Sequence, residues 1–113
     1  MSTIPVPDDA VERILASAVV AVDGERMGDV GRLFLDDRTG EPSWITLSTG
    51  LLGKKDVLVP LEGSRADGRE LRLAVGADAI KDAPEAHLDA YLTADLEART
   101  REHYGLPPRD DRL

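Results

Sequence analysis

At 113 residues, 42% hydrophobic and 32% charged, the chain has the size and balance of one globular domain with one modest core. It contains no apolar run near the ~20 residues of a membrane helix, and Met1 to Pro5 lack the features of a signal peptide, so we expect a cytoplasmic protein. The absence of cysteine excludes disulfides and thiolate zinc sites, and the net charge of −8 disfavours direct contact with nucleic acid.

The first part of the chain predicts a short helix followed by a strand and a tight turn. Asp9 and Glu12 have the spacing of a capping box, which predicts a helix over residues 10–16. The β-branched residues 18–22 predict a strand. Asp23-Gly24 then supplies the residue types of a hairpin turn.

Four further strands are predicted in the middle of the chain. They cover residues 30–36, 44–49, 56–61 and 71–75, with turns at 37–40, 50–55 and 66–68. Short strands at this spacing are typical of a β sandwich or a β-barrel. Pro60 cannot donate to a strand ladder, so we expect it at an edge, a bulge or an end.

The residues after the strands predict one helical turn, a linker and a longer helix. The helical turn covers residues 77–81. Thr93 is predicted to cap a helix that runs to about His103, with acids near its start and bases near its end. The apolar residues along one face of this helix are Leu92, Leu96 and Tyr104. We therefore expect the helix to dock on the β domain or on a partner.

Sequence patterns that suggest a ligand or catalytic site are all incomplete. Residues 53–55 lack the earlier glycine and the following Ser or Thr of a phosphate-binding loop. Residues 36–41 contain acids, but a calcium loop needs acids at alternate positions before the glycine and a Glu six residues after it, where this chain has Thr46, so a hairpin turn is the simpler interpretation. His87 and His103 have no second ligand at helical spacing, and no G-x-S-x-G turn presents Ser64 as a nucleophile. We predict no catalytic residue, no cofactor and no metal site.

Three apolar residues are candidates for an interaction surface. Trp44 begins a predicted strand and suits either core packing or an interface anchor. Leu51 and Leu52 stand between glycines in a predicted loop, from which both are hard to bury. We predict that Leu51 or Leu52, with or without Trp44, forms an apolar patch for self-association; the alternative is that both leucines cap the core. If the two leucines form neither an interface nor a cap of the core, we expect the interface on the C-terminal helix around Leu96 and Tyr104.

Several motifs together resemble the PRC-barrel family. They are Gly28-Asp29-Val30-Gly31, residues 36–42, Trp44-Ile45, Gly50-Leu51-Leu52-Gly53 and Val59-Pro60-Leu61. The chain is similar to bacterial, especially actinobacterial, standalone PRC-barrel proteins, whose C-terminal segment resembles residues 81–84 and 92–106. The resemblance covers residues 10–106. It implies a mainly β fold, a small closed barrel of five to six strands with a short N-terminal helix and a C-terminal helix.

We divide the chain into four segments. They are a flexible N-terminus (1–9), the PRC-barrel domain (10–84), a linker with the C-terminal helix (85–106) and a disordered tail (107–113). Gly28 and Gly31 flank the start of a strand where a small barrel must bend sharply.

The resemblance also implies a function. The family's barrel is related to the cytoplasmic domain of the photosynthetic reaction-centre H subunit and to a domain of the ribosome maturation protein RimM. In both it is an assembly or docking element and has no catalytic role. The expected function is therefore a non-enzymatic adaptor or scaffold that forms a homodimer and binds an unidentified protein. The alternative is an accessory factor associated with the ribosome or with RNA processing. A small hydrolase would need a convergent pocket of perturbed acids or histidines.

Overall fold

The structure, a computed structural model, describes residues 7–36, 38–49, 55–86 and 92–107. These residues form three helices: α1 (Pro7–Leu15), α2 (Ala77–Lys81) and α3 (Ala94–His103). The strands are β1 (Ala18–Val20), β2 (Arg26–Asp29), β3 (Leu33–Leu35), β4 (Pro42–Thr49), β5 (Lys55–Pro60), β6 (Arg65–Asp67) and β7 (Glu70–Arg72). The described chain is therefore mainly β, as predicted.

Four of the strands form one sheet in the order β2-β1-β7-β6. β1 is one of its two central strands and pairs antiparallel with β2 and parallel with β7. The pairing of β1 with β7 continues past both strands, because Leu73 N–H donates to Val20 O (2.8 Å) and Val22 N–H donates to Val75 O (2.9 Å). The beginning and the end of the β domain are thereby joined.

The other three strands form an antiparallel sheet in the order β3-β4-β5. Alternate residues of β4 face opposite sides, so Ile45 and Leu47 enter the main core while Trp44 lies on the outer face. Pro60 is the last residue of β5, where its missing N–H costs no central ladder bond, as expected from the sequence.

The two sheets are connected where the chain passes from β2 to β3. Gly31 N–H donates to Thr46 O (2.8 Å), and Thr46 N–H donates to Arg32 O (3.0 Å). Arg32 N–H also donates to the Thr46 side-chain oxygen, Oγ1 (2.8 Å). Two consecutive residues of the crossing are therefore held by one residue of β4.

One buried cluster fills the space between the sheets. Its members come from both sheets and from the segment around α2, and they are Val19, Ala21, Met27, Ile45, Leu47, Val57, Val59, Leu61, Leu71, Leu73, Ala77, Ile80 and Ala83. Helix α2 is also linked to the β1–β2 turn by Lys81, whose Nζ donates to Glu25 Oε2 (2.7 Å). This hydrogen bond and the charge of Glu25 raise the pKa of Lys81.

The structure has two strands that the sequence patterns did not predict, β2 and β6. Both are short and polar, and β2 contributes one buried residue, Met27. Each is one arm of a tight hairpin: Gly24 (φ 94°) lies in the turn between β1 and β2, and Gly68 (φ 65°) in the turn between β6 and β7. Their pairing therefore depends on turn geometry more than on apolar alternation.

The seven described strands divide between two sheets, and closure of five to six strands into one barrel stays a prediction. Helix α1 covers Pro7–Leu15, slightly earlier than the predicted residues 10–16. Among the described residues, no helix combines the length and apolar character needed to cross a membrane. The predicted tail lies mostly outside the described residues, as does most of the predicted flexible N-terminus.

The close approach of Gly31 to Thr46, where the chain passes from β2 to β3, predicts that a methyl group at position 31 destabilises the fold. An added Cβ would lie 2.7 Å from Thr46 Oγ1 and 3.3 Å from Thr46 O, and moving that hydroxyl would break its bond to Arg32 N–H. We expect Gly31→Ala to lower the free energy of unfolding by about 1–3 kcal/mol, measured by urea denaturation.

Gly76 provides the matched control for this substitution. Its φ of −85° suits any residue, and the nearest atom to an added Cβ is Asp23 Oδ2 at 3.9 Å. Gly76→Ala should change the free energy of unfolding by less than about 1 kcal/mol. Equal effects of the two substitutions would contradict a tight crossing at Gly31.

Candidate interaction surface

Helix α3 begins at the cap predicted from the sequence. The Thr93 side chain accepts a hydrogen bond from Leu96 N–H (3.2 Å). Asp95 and Glu97 lie in the first turn and Arg101 and His103 in the last, so charged residues match both ends of the helix dipole. The predicted start of the helix and its end at His103 are confirmed.

Helix α3 covers the outer face of the three-stranded sheet. Leu96 shares a buried cluster with Trp44, Leu58 and Ala86, and Phe34 and Leu92 pack against the cluster. Trp44 is 2% exposed and Leu96 6% exposed. The helix therefore docks on its own chain, which decides between the two alternatives left by the sequence.

Polar contacts fix the position of α3 on the sheet. Trp44 Nε1–H donates to Glu97 Oε2 (3.2 Å), and the Tyr104 hydroxyl donates to Leu58 O (3.1 Å). The buried Thr100 hydroxyl donates to Leu96 O within the helix (2.7 Å), so it is satisfied without water. Both ends of the helix thus have a hydrogen bond to the sheet beneath it.

The last turn of α3 also contacts neighbouring elements. His103 Nε2 lies 2.7 Å from Ala79 O of α2. Arg101 Nη2 lies 3.7 Å from Glu62 Oε1, and Arg101 Nε donates to Pro107 O (2.8 Å). These contacts join α3 to α2 and to the turn after β5.

A cleft of about 440 Å³ lies between α3, the turn that joins β3 to β4, and the end of β5. It is lined by Asp36, Arg38, Glu41, Pro42, Ser43, Trp44, Pro60, Leu61, Glu62, Glu97 and Arg101. Its lining contains four acids and two arginines, so its charge is negative overall.

The family of the chain is given by a sequence match that spans all the described strands of both sheets. The sequence pattern described as PRC-barrel domain matches residues 8–81, well over half of the chain. The chain belongs to the PRC-barrel domain family. No curated protein sequence matches it. The matched region ends with α2, so α3 and the residues that cover Trp44 from outside the sheet lie beyond the PRC-barrel match.

The structure brings together two of the predicted interface residues of this PRC-barrel protein. Trp44 and Leu96 share one buried cluster, and Tyr104 is partly buried against the main core. Contact of Trp44 and Leu96 with a partner would therefore require α3 to leave the sheet. Leu51 and Leu52 lie outside the described residues, so their apolar patch stays a prediction.

The segments that partly resemble ligand sites have mostly structural roles where the structure describes them. Asp36 Oδ1 accepts from Arg38 N–H (2.7 Å) and Thr39 N–H (3.1 Å), which forms the predicted hairpin turn between β3 and β4. The Ser64 hydroxyl donates to Leu61 O (2.6 Å). Residues 53–54 and His87 lie outside the described residues. Within the described ranges, no group of three or more His, Asp or Glu side chains is placed to hold a metal ion.

The sequence patterns did not indicate Glu97 as the partner of Trp44 or Ala79 as the partner of His103. These pairs are separated by 53 and 24 residues, so no local pattern could indicate them. The spacing of Leu92, Leu96 and Tyr104 was the available signal, and it indicated which face of the helix is covered.

The docking of α3 predicts a fluorescence change in a Leu96 variant. Trp44 is the single tryptophan of the chain and packs with Leu96 in the buried cluster between α3 and the three-stranded sheet. Its fluorescence emission therefore reports on whether α3 covers it. We expect Leu96→Ala to lower the free energy of unfolding by about 2–4 kcal/mol and to shift Trp44 emission to longer wavelength.

Arg99 provides the control on the exposed side of the same helix. Its Nε lies 3.3 Å from Asp95 Oδ2 in a solvent-exposed ion pair. Arg99→Ala should leave the emission unchanged and alter stability by less than about 0.5 kcal/mol. An unchanged emission maximum in both variants would contradict docking of α3 over Trp44.

The burial of the Tyr104 side chain predicts that the fold loses stability at alkaline pH. Burial raises the pKa of the Tyr104 phenol above its ordinary value of 10.0. The folded state therefore favours the neutral phenol, and this contribution to stability is present below ~pH 10 and is lost as the pH rises further. We expect phenolate absorbance to show one tyrosine that titrates late, and Tyr104→Phe to remove this late step. A Tyr104 that titrates at its ordinary pKa would contradict the burial.

Proposed function

We propose that this chain is a non-catalytic protein-interaction module, a PRC-barrel adaptor or scaffold that forms a homodimer and binds a further protein. Family membership carries the proposal, because PRC-barrel domains often mediate protein interactions. In this proposal the outer surfaces and edges of the two sheets are the sites of contact.

The contacts within the cleft support a role without catalysis. Glu97 accepts from the Trp44 indole, Arg101 bridges towards Glu62 and Pro107, and Asp36 holds the β3–β4 turn. A general acid or base must be in position to exchange a proton with a substrate. These three side chains instead connect the elements that form the walls of the cleft.

Charge supports a protein as the partner. The net charge of −8 and the excess of acids in the cleft lining oppose a phosphate backbone. An acidic surface favours a partner with a complementary basic surface. The second partner in this proposal is therefore a protein.

Light scattering of the full chain across a dilution series tests self-association. We expect the mass to rise from that of the 12.2 kDa chain towards twice that value as the concentration increases through the micromolar range, because closed twofold assemblies dominate among homo-oligomers. A strict monomer throughout the series would overturn the homodimer.

Co-sedimentation with ribosomal particles at physiological salt tests the choice of partner. We expect the chain to stay in the supernatant, since its acidic surface does not favour RNA. Stable co-sedimentation would instead support the ribosome-associated alternative.

A further inference from the structure

Strand β3 forms an edge of the three-stranded sheet and differs from the other edges. Its residues are Leu33-Phe34-Leu35, without a charge, whereas the edge strands of the other sheet, β2 and β6, each contain an arginine and an aspartate. The outer side of β5 is bridged by Glu85, and Ala86 N–H donates to Asp56 O (2.7 Å). Natural proteins usually protect edge strands with charge or cover.

The backbone of β3 directs hydrogen-bonding groups away from the sheet. Thr46 N–H donates to Arg32 O, and Asp36 N–H donates to Glu41 O (2.8 Å), so residues 32 and 36 point towards β4. Backbone groups alternate along a strand, so those of Leu33 and Leu35 point outward. Leu35 is 47% exposed.

We propose that the β3 strands of two copies of this chain pair antiparallel about a twofold axis at Phe34. Leu33 then lies opposite Leu35 of the second copy, and each such pair exchanges both of its backbone hydrogen bonds. The two Phe34 residues face each other as the intervening pair without hydrogen bonds. This inference names the surface of the self-association proposed above and rests on it.

Charge complementarity selects a second copy in this register. Antiparallel pairing centred on Phe34 places Arg32 opposite Asp36 of the second copy at both ends of the contact. Opposite charges across paired strands are favourable. A parallel, in-register arrangement would place like charges opposite each other, and a shift by one residue would bring different faces together.

The size of the contact predicts a reversible dimer. β3 has three residues, and interfaces below the standard size are typical of weak or transient association. Edge strand β6 has a similar charge pattern but places only Ala66 between its charged residues, so it offers less apolar surface. We therefore expect a concentration-dependent equilibrium that depends on β3.

Disulfide cross-linking tests the register directly, because the chain has no cysteine of its own. In the proposed dimer the two residues at position 34 have Cα atoms about 4.5 Å apart, within the ~4.4–6.8 Å range of disulfides. Phe34→Cys should therefore form a covalent dimer on mild oxidation. Leu35→Cys is the control: its two copies are offset by about 6.8 Å along strands that lie about 4.8 Å apart, so their Cα atoms are about 8 Å apart, beyond the ~7 Å limit, and it should stay uncross-linked.

A second pair of variants tests the same edge without cross-linking, in case Phe34→Cys loses its fold. Leu35→Lys places a charge within the pairing and should raise the dissociation constant of the dimer at least tenfold. Val22→Lys changes another exposed apolar residue, 53% exposed and distant in sequence from β3, and should leave association unchanged. Trp44 emission checks that both variants are folded.

The outcomes separate this inference from the proposed function. Loss of association in Leu35→Lys alone supports the β3 pairing. A wild-type dimer that survives in Leu35→Lys and does not cross-link through Phe34→Cys would overturn the pairing but leave self-association intact. A dimer lost in Leu52→Asp and retained in Leu35→Lys would place the interface at residues 50–53 instead. A monomeric wild type would overturn both self-association and the pairing.

Discussion

The hydrogen bonds around Thr46 join the two sheets, and the arrangement of the domain depends on them. Thr46 accepts from Gly31 N–H and Arg32 N–H and donates to Arg32 O, so one residue in the middle of β4 fixes the passage of the chain from β2 to β3. The backbone at position 31 approaches Thr46 so closely that a Cβ would overlap the Thr46 hydroxyl. A glycine is therefore required where the chain leaves one sheet and enters the other.

Fixing β4 also determines what lies on each side of its sheet. With Ile45 and Leu47 in the main core, alternation directs Trp44 to the opposite face. An exposed tryptophan there would leave a large apolar surface in water. Helix α3 removes that surface with Leu96 and gives the indole N–H a partner in Glu97. The outer cluster is thus completed by residues beyond the PRC-barrel match.

The packing of α3 on the three-stranded sheet restricts where another protein can contact the described part of the domain. The outer face of the three-stranded sheet is occupied by α3, and the walls of the adjacent cleft are connected by structural hydrogen bonds and an ion pair. Edge strand β3 keeps outward backbone groups and a half-exposed Leu35. A strand edge suits self-association, because identical strands supply each other's missing partners when they pair antiparallel.

The sequence by itself determined the mainly β class, the cap of α3 at Thr93 and the turn after Asp36, because these signals act over a few neighbouring residues. It also indicated the PRC-barrel family. Only the tertiary structure decided that α3 docks on its own sheet. The bond from Trp44 to Glu97 spans 53 residues, and β2 and β6 form without an apolar alternation of their own. Such contacts depend on which faces the rest of the fold leaves uncovered, which local patterns do not encode.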